Sequence, residues 1–354
     1  MTFFSLLCAL LLEQVYPPPR PHIVWQAQQR LANWALNNLN AGQRLHGWLA
    51  WAAAVAAPAL ATCGIYHLLH WVGWPLALAW NVLVLYLALG FRPFSDYLTA
   101  IREALERGDE VRARQILSQW QGRPNVALPR HILTQQVLEH AVLNVHRHVF
   151  GVVGAFVLLA MLGLGPAGAV LYWCADFVQA HWQRQRPSAM RSPASTAATH
   201  LPPAGQALNA AQTAWHIINW LPTRMTAASF AIVGNFELAL DNWRHLPDAQ
   251  QPGKANTHCR NDALLLAVAA GAIDVPNDFA TPAATRAAAH ATPNTDSTPD
   301  PTQADDAGAV YGVALQAHQP SGLHRLHTLA RLIWRSMLLW ALLIALVTVT
   351  HWVS

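Results

Sequence analysis

Polar and ionisable side chains interrupt this apolar chain in three places. One group falls in a predicted helix that ends near residue 148, one residue follows a long apolar run, and a third group accompanies a tryptophan and a proline. Guanidinium groups form paired hydrogen bonds with phosphate or carboxylate, and carboxylates bind amines or cations. Ionisable groups at membrane depth favour a functional site by default. The candidates for binding or catalysis are Glu139, Asn144, Arg147, Asp176, Asn219 and Arg224.

Each candidate also has a purely structural interpretation. Arg147, with His146 and His148, can anchor a helix at the level of the lipid headgroups, because long basic side chains extend toward the interface. Asp176 can pair with Arg147 or Arg224 without contacting a ligand. The i, i+2 spacing of His146 and His148 directs the rings to different helix faces, so we predict no metal site. Both interpretations of the arginines and of Asp176 stay open from the residues alone.

The composition predicts that membrane-spanning helices position these side chains. Hydrophobic residues make up 53% of the 354 residues and charged residues only 11%, whereas soluble domains carry roughly 25%. Several of the 16 tryptophans end apolar runs, which is typical of the membrane interface. No basic run interleaved with aromatic residues occurs, so we expect a lipid bilayer and no nucleic acid as partner. The sequence also lacks the glycine-rich nucleotide-binding motifs.

The apolar pattern predicts an all-α polytopic membrane protein with about three full transmembrane helices, a bent apolar hairpin and cytoplasmic helices. The many arginines between Arg92 and Arg147 place that stretch in the cytoplasm by the positive-inside rule. The predicted segments are N-terminal interfacial helices (1–44), a transmembrane hairpin (45–91), a cytoplasmic helical pair with the Glu139 segment (92–148), the bent hairpin (149–182), a flexible linker (183–212), the Asn219 motif with an amphipathic helix (213–246), a mostly disordered linker (247–325) and a C-terminal transmembrane helix (326–354).

Three further expectations concern individual segments. The break at Gly163–Gly168 lies within apolar sequence, so we expect it to line a cavity as a wall of the site. We predict one amphipathic helix that contains both Phe230 and Leu240. We predict that the apolar run Ala263–Gly271 forms a helix packed on the surface.

The order of these motifs resembles the superfamily that unites CobD/CbiB cobalamin-biosynthesis proteins with AmpE inner-membrane proteins. The most specific similarity is Asn219-Trp220-Leu221-Pro222-Thr223-Arg224-Met225-Thr226-Ala227, which is similar to a family motif of the type Asn-Trp-(Ile/Val)-Pro-Ala-Arg-Leu-Thr-Ala. Other matching features are Leu11-Leu12-Glu13, Gly108-Asp109, the segment from Leu138-Glu139 to Phe150, and the Gly-Pro-Ala-Gly break before Tyr172.

For the CobD/CbiB branch, the resemblance implies an ATP-dependent synthesis of an amide. The reaction joins aminopropanol or its phosphate to adenosylcobyric acid, a corrinoid, with ATP and Mg²⁺ as cofactors. Carried onto this sequence, Arg224 and Arg147 would hold phosphate, Glu139 and Asp176 would hold Mg²⁺ or the amine, and Asn219 would position the substrate. Asn144 stands at a further polar position of the motif, Glu13 at that of an early aspartate, and His22 at that of a His-Pro element.

Several positions depart from the pattern of that branch, which typically has acidic residues where this chain has Leu143, Arg147, Trp215 and His216. Fewer carboxylates mean fewer Mg²⁺ ligands. The alternative is therefore a non-catalytic AmpE-type membrane sensor linked to β-lactamase induction, with another membrane protein as partner. Both alternatives predict a multi-pass protein of a bacterial-type inner membrane.

Overall fold

A computed structural model describes residues 2–16, 23–39, 43–122, 130–185, 203–245, 260–274 and 322–353. All regular structure in these ranges is helical, which confirms the predicted all-α class. The helices are α1 (Thr2–Val15), α2 (Ile23–Leu39), α3 (Arg44–Trp51), α4 (Ala57–Val72), α5 (Trp74–Ala88), α6 (Phe91–Glu106), α7 (Glu110–Gln121), α8 (Arg130–Val145), α9 (Gly151–Met161), α10 (Ala167–Arg184), α11 (Pro203–Val233), α12 (Phe236–Arg244), α13 (Arg260–Ala272) and α14 (Gly322–Val353). Single π-helical turns, Ala52–Ala56 and His146–Phe150, join α3 to α4 and α8 to α9.

Four helical stretches are long and apolar enough to cross a bilayer: Arg44–Val72, Trp74–Glu106, Ile132–Met161 and Gly322–Thr350. The chain is therefore a membrane protein, with one candidate span more than the three predicted. The additional stretch is Ile132–Met161, most of which the sequence pattern placed in the cytoplasm. Its polar residues suggested an aqueous location, but several of them face other helices, and the His146 side chain is completely buried.

The hairpin of α9 and α10 holds two helices in close antiparallel contact. A Cβ atom at Gly151 would lie 2.1 Å from the Tyr172 hydroxyl, and one at Gly168 would lie 2.1 Å from the Ala155 carbonyl oxygen. Gly168 lets the two backbones approach, and Gly151 leaves room for the Tyr172 side chain. The first arm is long enough to cross a membrane because it continues α8, rather than being the short separate half that the sequence suggested.

The turn between α9 and α10 lies far from the candidate residues. Met161 follows Arg147 by 14 positions, which is about 21 Å along a helix. Tyr66 of α4 packs against the turn at Gly165. The prediction that Gly163–Gly168 forms a wall of the site is therefore wrong.

The stretch around the Asn219 motif is one long helix, α11, which begins at Pro203 within the predicted linker 183–212. The predicted amphipathic helix is two helices, because α11 ends at Val233 and α12 begins at Phe236. Between them, the Asn235 side chain caps α12 by accepting a hydrogen bond from the Leu238 backbone N–H.

Helix α13 is buried, whereas the sequence pattern placed it on the surface. Nine of its residues are buried, and a Cβ atom at Gly271 would lie 2.5 Å from the Leu238 carbonyl oxygen of α12. The physical reason is that the helix is apolar on every side from Ala263 to Ala272, so this part has no polar face to turn toward water. The remainder of the predicted linker 247–325, apart from the first turn of α14, lies outside the described residues, as do residues 186–202 and His22.

The terminal helices close the bundle. α1 packs along α5, and the buried Glu13 carboxylate accepts a hydrogen bond of 3.2 Å from the Arg92 backbone N–H. α14 contacts α11, α8 and α1. Phe91 and Trp334 meet edge to face with centroids 5.4 Å apart. α14 thus covers part of α8 and α11, two of the helices that carry the candidate residues.

Candidate functional site

Arg147 lies between two carboxylates from different helices. Its Nη2 atom is 2.5 Å from Asp262 Oδ2, and its Nη1 atom is 3.9 Å from Asp176 Oδ1. The antiparallel pairing that places Gly151 against Tyr172 also brings Asp176 opposite Arg147, one turn further along each helix. The three side chains are only 18–28% exposed. Removing these charges from water is costly unless they pair, so the two carboxylates and the guanidinium stabilise one another.

Trp215 completes the environment of Arg147. The guanidinium carbon lies 6.0 Å from the centre of the Trp215 ring, a distance at which a cation is attracted to an aromatic face. The indole also packs on Tyr172, with ring centres 5.0 Å apart. Arg147 and Trp215 are two of the positions that depart from the acidic pattern of the CobD/CbiB branch, and they contact each other. A cation and an aromatic face suit one another, so the two departures are mutually compatible.

A fully buried hydrogen-bond network adjoins this ion cluster. His146 Nε2 lies 2.9 Å from Asn219 Oδ1, and the Tyr172 hydroxyl donates to the same oxygen at 2.8 Å. His146 Nδ1 lies 3.0 Å from the Thr226 hydroxyl. Because an amide oxygen only accepts, His146 carries a proton on Nε2. The Thr226 hydroxyl, which donates its proton to the Pro222 carbonyl oxygen, lies against Nδ1. The network ties the π-helical turn to α10 and α11.

Asn219 therefore points into the helix bundle. Its side-chain oxygen is shared by two donors, while Nδ2 has no hydrogen-bond partner among the described residues. The residue is 1% exposed, and a buried donor that makes no hydrogen bond costs about 1–3 kcal/mol. The arrangement gives Asn219 the geometry of a positioning group for His146 and Tyr172.

Pro222 lies inside α11 beside this network. Proline lacks a backbone N–H and disturbs the helical hydrogen bonds around it. Two hydroxyls bond to nearby carbonyl groups: Thr223 donates to the Asn219 carbonyl oxygen at 2.6 Å, and Thr226 lies 2.9 Å from the Pro222 carbonyl oxygen. Around this proline, α11 thus carries two hydroxyls that donate hydrogen bonds to carbonyl oxygens of the same helix.

The candidate residues are not all brought together. Arg147 and Asp176 are paired, and Asn219 is joined to them through Tyr172, Trp215 and the His146 turn. Glu139 lies eight positions before Arg147, about 12 Å along the helix axis, and is half-buried. Asn144 is half-buried about one turn before Arg147 on the same helix.

Arg224 lies on another face of α11 from Asn219, because five positions correspond to about 140° around a helix. Its guanidinium stacks 4.0 Å above the half-exposed Trp220 ring, and Nη1 donates to the Trp220 carbonyl oxygen at 3.1 Å. Burial lowers the pKa of Arg224, and the neighbouring charge of Arg260 lowers it further. The side chain remains protonated at neutral pH. Arg224 thus presents a fixed positive charge outside the buried network.

The Mg²⁺ that the resemblance implies does not fit the described side chains. No cluster of three or more His, Cys, Asp or Glu residues in the described ranges could hold a metal ion. The two carboxylates nearest each other, Asp176 and Asp262, face the guanidinium of Arg147, which occupies the position that a cation would need.

Two residues of the site escaped the sequence analysis as functional candidates. The sequence pattern places Asp262 in the linker 247–325, and Tyr172 only marks the residue after the Gly-Pro-Ala-Gly break of the family resemblance. The signal for Asp262 was present: an acidic residue directly precedes an apolar run of helical length, as expected for the first turn of a buried helix. No local pattern identifies Tyr172, whose role depends on its partners from other helices.

Comparison with known proteins decides the family. A family profile described as CobD/Cbib protein matches residues 6–189, which is more than half of the chain. The chain belongs to the CobD/CbiB family. Among its relatives is a Stutzerimonas stutzeri protein named "Cobalamin biosynthesis protein CobD", 27% identical over 246 residues, which are 68% of this chain and 73% of the relative. A Chromobacterium violaceum protein of the same name is 26% identical over 194 residues, 55% of this chain and 54% of that relative.

The matched range includes some of the candidate residues and leaves out others. Residues 6–189 include Glu139, Asn144, Arg147 and Asp176 but not the Asn219 motif, which the sequence analysis treated as the most specific similarity. No solved structure matches the chain. The contacts of the Asn219 motif with His146 and Tyr172 connect it to the matched part of this CobD/CbiB-family chain.

Proposed function

We propose that this CobD/CbiB-family protein acts in cobalamin biosynthesis as an amide-forming synthase of the bacterial inner membrane, joining an aminopropanol or its phosphate to a corrinoid carboxylate. The family and the names of both relatives support the role in cobalamin biosynthesis. They do not favour the alternative of a sensor in β-lactamase induction. The four candidate spans support a location in a membrane.

The observation that carries the proposal is the ion cluster of Arg147, Asp176 and Asp262, next to the buried His146 network. Ionisable residues are costly inside apolar helix bundles and are seldom placed there without a use. Here they come from three helices and meet at one point. The site brings together a fixed cation, two carboxylates and a tyrosine hydroxyl, which are suitable for orienting a polar substrate.

The geometry suggests a division of roles. Asp176 is the less tightly held of the two carboxylates, at 3.9 Å from Arg147, so it is the candidate to bind the amine of the substrate. Arg224 presents its guanidinium outside the network and is the candidate to hold phosphate. Arg147 holds Asp176 and Asp262 in place, and Asn219 fixes Tyr172 and His146. The reaction would also need ATP to activate the carboxylate, and we assign no residue to ATP.

Growth on a precursor tests the proposal. A bacterial strain that lacks its own synthase is supplied with cobyric acid, and corrinoid-dependent growth is scored with the wild-type chain, Arg147→Gln and Asp176→Asn. Arg107→Gln is the matched control, because Arg107 pairs with Glu103 on the surface and its side chain is 70% exposed. We expect wild type and Arg107→Gln to restore growth, and both site variants to reduce it at least tenfold.

Two results would refute the proposal, one by excluding the synthase activity and the other by excluding the assigned site. If the wild-type chain is found in the membrane and does not restore growth, the synthase activity is wrong. If wild type restores growth and Arg147→Gln and Asp176→Asn perform as well as Arg107→Gln, the activity stands and the assignment of the site is wrong. The membrane content of each variant is measured by immunoblot of washed membranes.

A further inference from the structure

A polar cavity lies apart from the Arg147 cluster, between α3 and the start of α11. It has a volume of about 260 Å³ and is lined by Arg44, Trp48, Gln206, Asn209, Ala210 and Thr213. The lining provides one guanidinium, two side-chain amides, an indole and a hydroxyl, and it contains no acidic residue. This set of donors is complementary to an anion that has several oxygen atoms.

The length of the adjoining candidate span indicates the depth of the cavity in a bilayer. The candidate span Arg44–Val72 has 29 residues, so it is about 44 Å long. A bilayer including its headgroup regions is about 40–45 Å thick. When the Val72 end lies at one surface, Arg44 at the other end of the span lies among the headgroups of the opposite surface. Trp48, one turn further in and 40% exposed, is of the residue type enriched at that level.

Close contact between the two helices gives the cavity a defined shape. A Cβ atom at Gly47 would lie 2.8 Å from the Gln206 carbonyl oxygen, so α3 and α11 are in direct backbone contact beside the cavity. Gln206, Asn209 and Thr213 recur at helical spacing on α11. The Thr213 hydroxyl donates to the Asn209 carbonyl oxygen at 2.8 Å, which leaves the guanidinium and the amide N–H groups as donors for a ligand.

We propose that this cavity binds the phosphate of an anionic phospholipid headgroup. Arg44 supplies the charge, Gln206 and Asn209 supply hydrogen bonds, and Trp48 lies beside the glycerol region of the lipid. Binding here would hold the first turns of α11, the helix that later carries Trp215 and Asn219. The proposal does not depend on the synthase reaction, because it concerns a different pair of helices.

Thermal unfolding of the purified full-length chain in detergent tests the site. The midpoint is followed by tryptophan fluorescence while phosphatidylglycerol, phosphatidylcholine or inorganic phosphate is added in separate series. The variants are Arg44→Gln and Asn209→Leu. Arg30→Gln is the matched control, because Arg30 is an exposed arginine on the neighbouring helix α2 and does not line the cavity.

We expect phosphatidylglycerol to raise the midpoint of the wild type and of Arg30→Gln, and phosphatidylcholine to have less effect. One basic residue near an anionic surface contributes about 1 kcal/mol, so Arg44→Gln should need roughly fivefold more phosphatidylglycerol for the same shift. Asn209→Leu should also need more. Equal responses of Arg44→Gln and Arg30→Gln, or equal effects of the two lipids, overturn the proposal. An Arg44-dependent shift with inorganic phosphate alone, of the same size as that with phosphatidylglycerol, also overturns it and assigns the cavity to dissolved phosphate.

Discussion

Asp262 is the residue whose substitution tests the ion cluster most directly. Asp262→Asn keeps the size of the side chain and removes its charge, so the guanidinium of Arg147 loses its partner at 2.5 Å and retains only Asp176 at 3.9 Å. Removal of one member of a fully buried pair costs about 3–5 kcal/mol. Here the side chains of Arg147 and Asp262 are 28% and 24% exposed, and the second carboxylate remains. We therefore expect a loss of about 2 kcal/mol in the free energy of unfolding.

The assay is unfolding by sodium dodecyl sulfate in mixed micelles, followed by the fluorescence of the 16 tryptophans. A double-mutant cycle with Asp262→Asn, Arg147→Gln and the double variant isolates the pair energy from other effects of each substitution. The matched control is Asp241→Asn. Asp241 belongs to the adjacent helix α12, pairs with His245 and is 61% exposed, so its loss should change stability by less than about 0.5 kcal/mol.

The refuting result is specific. If Asp262→Asn is as stable as Asp241→Asn and the cycle shows no coupling with Arg147, the ion cluster does not hold α13 against the membrane helices. In that case Asp262 has no place in the site, and the buried position of α13 rests on its apolar contacts alone.

Three further substitutions test the surrounding structure. Gly151→Ala places a Cβ atom 2.1 Å from the Tyr172 hydroxyl and should lower the free energy of unfolding by about 1–3 kcal/mol. The control is Gly64→Ala, whose Cβ atom meets nothing within 4 Å, so it should leave the free energy of unfolding unchanged or raise it. Equal effects of the two substitutions in the same unfolding assay would contradict the packing of α9 on α10. Tyr172→Phe removes the 2.8 Å hydrogen bond to Asn219 and should cost about 1 kcal/mol in that assay; an unchanged stability would show that the network contributes nothing. Arg224→Gln should leave the stability nearly unchanged, but corrinoid-dependent growth should then need about tenfold more aminopropanol phosphate. A normal response to aminopropanol phosphate would exclude Arg224 as the partner of the phosphate group.

Sequence patterns locate most helices but misjudge where some of them lie. The helix through Glu139 and Arg147 has too many polar residues to look like a membrane span, yet it is continuous with α9 because a π-helical turn carries the chain on without a break. Helix α13 looks like a short element within a linker, and only its contacts with α11 and α12 show that it belongs to the core. Apolar periodicity reports the faces of a helix, but it does not report which partner covers each face.

The same limit applies to the site. The polar residues Arg147, Asp176 and Asn219 can be selected from the sequence, because polar groups in apolar segments are conspicuous. Their partners cannot be selected in this way, because Asp262 lies 115 positions from Arg147 and Tyr172 is one aromatic residue among many. The placement of Arg224 away from Asn219 follows from the helical repeat once both are known to lie on one uninterrupted helix.

The sequence by itself determined the helical membrane class, the residue types available for chemistry and the similarity to the CobD/CbiB family. These properties follow from composition, local periodicity and motifs, which short stretches of chain carry. The tertiary structure decided that Arg147 lies between Asp176 and Asp262, and that the Asn219 side-chain oxygen accepts hydrogen bonds from His146 and Tyr172. The reason is physical: a charge inside a helix bundle is stable only with partners from other helices, and those partners are fixed by how the helices pack.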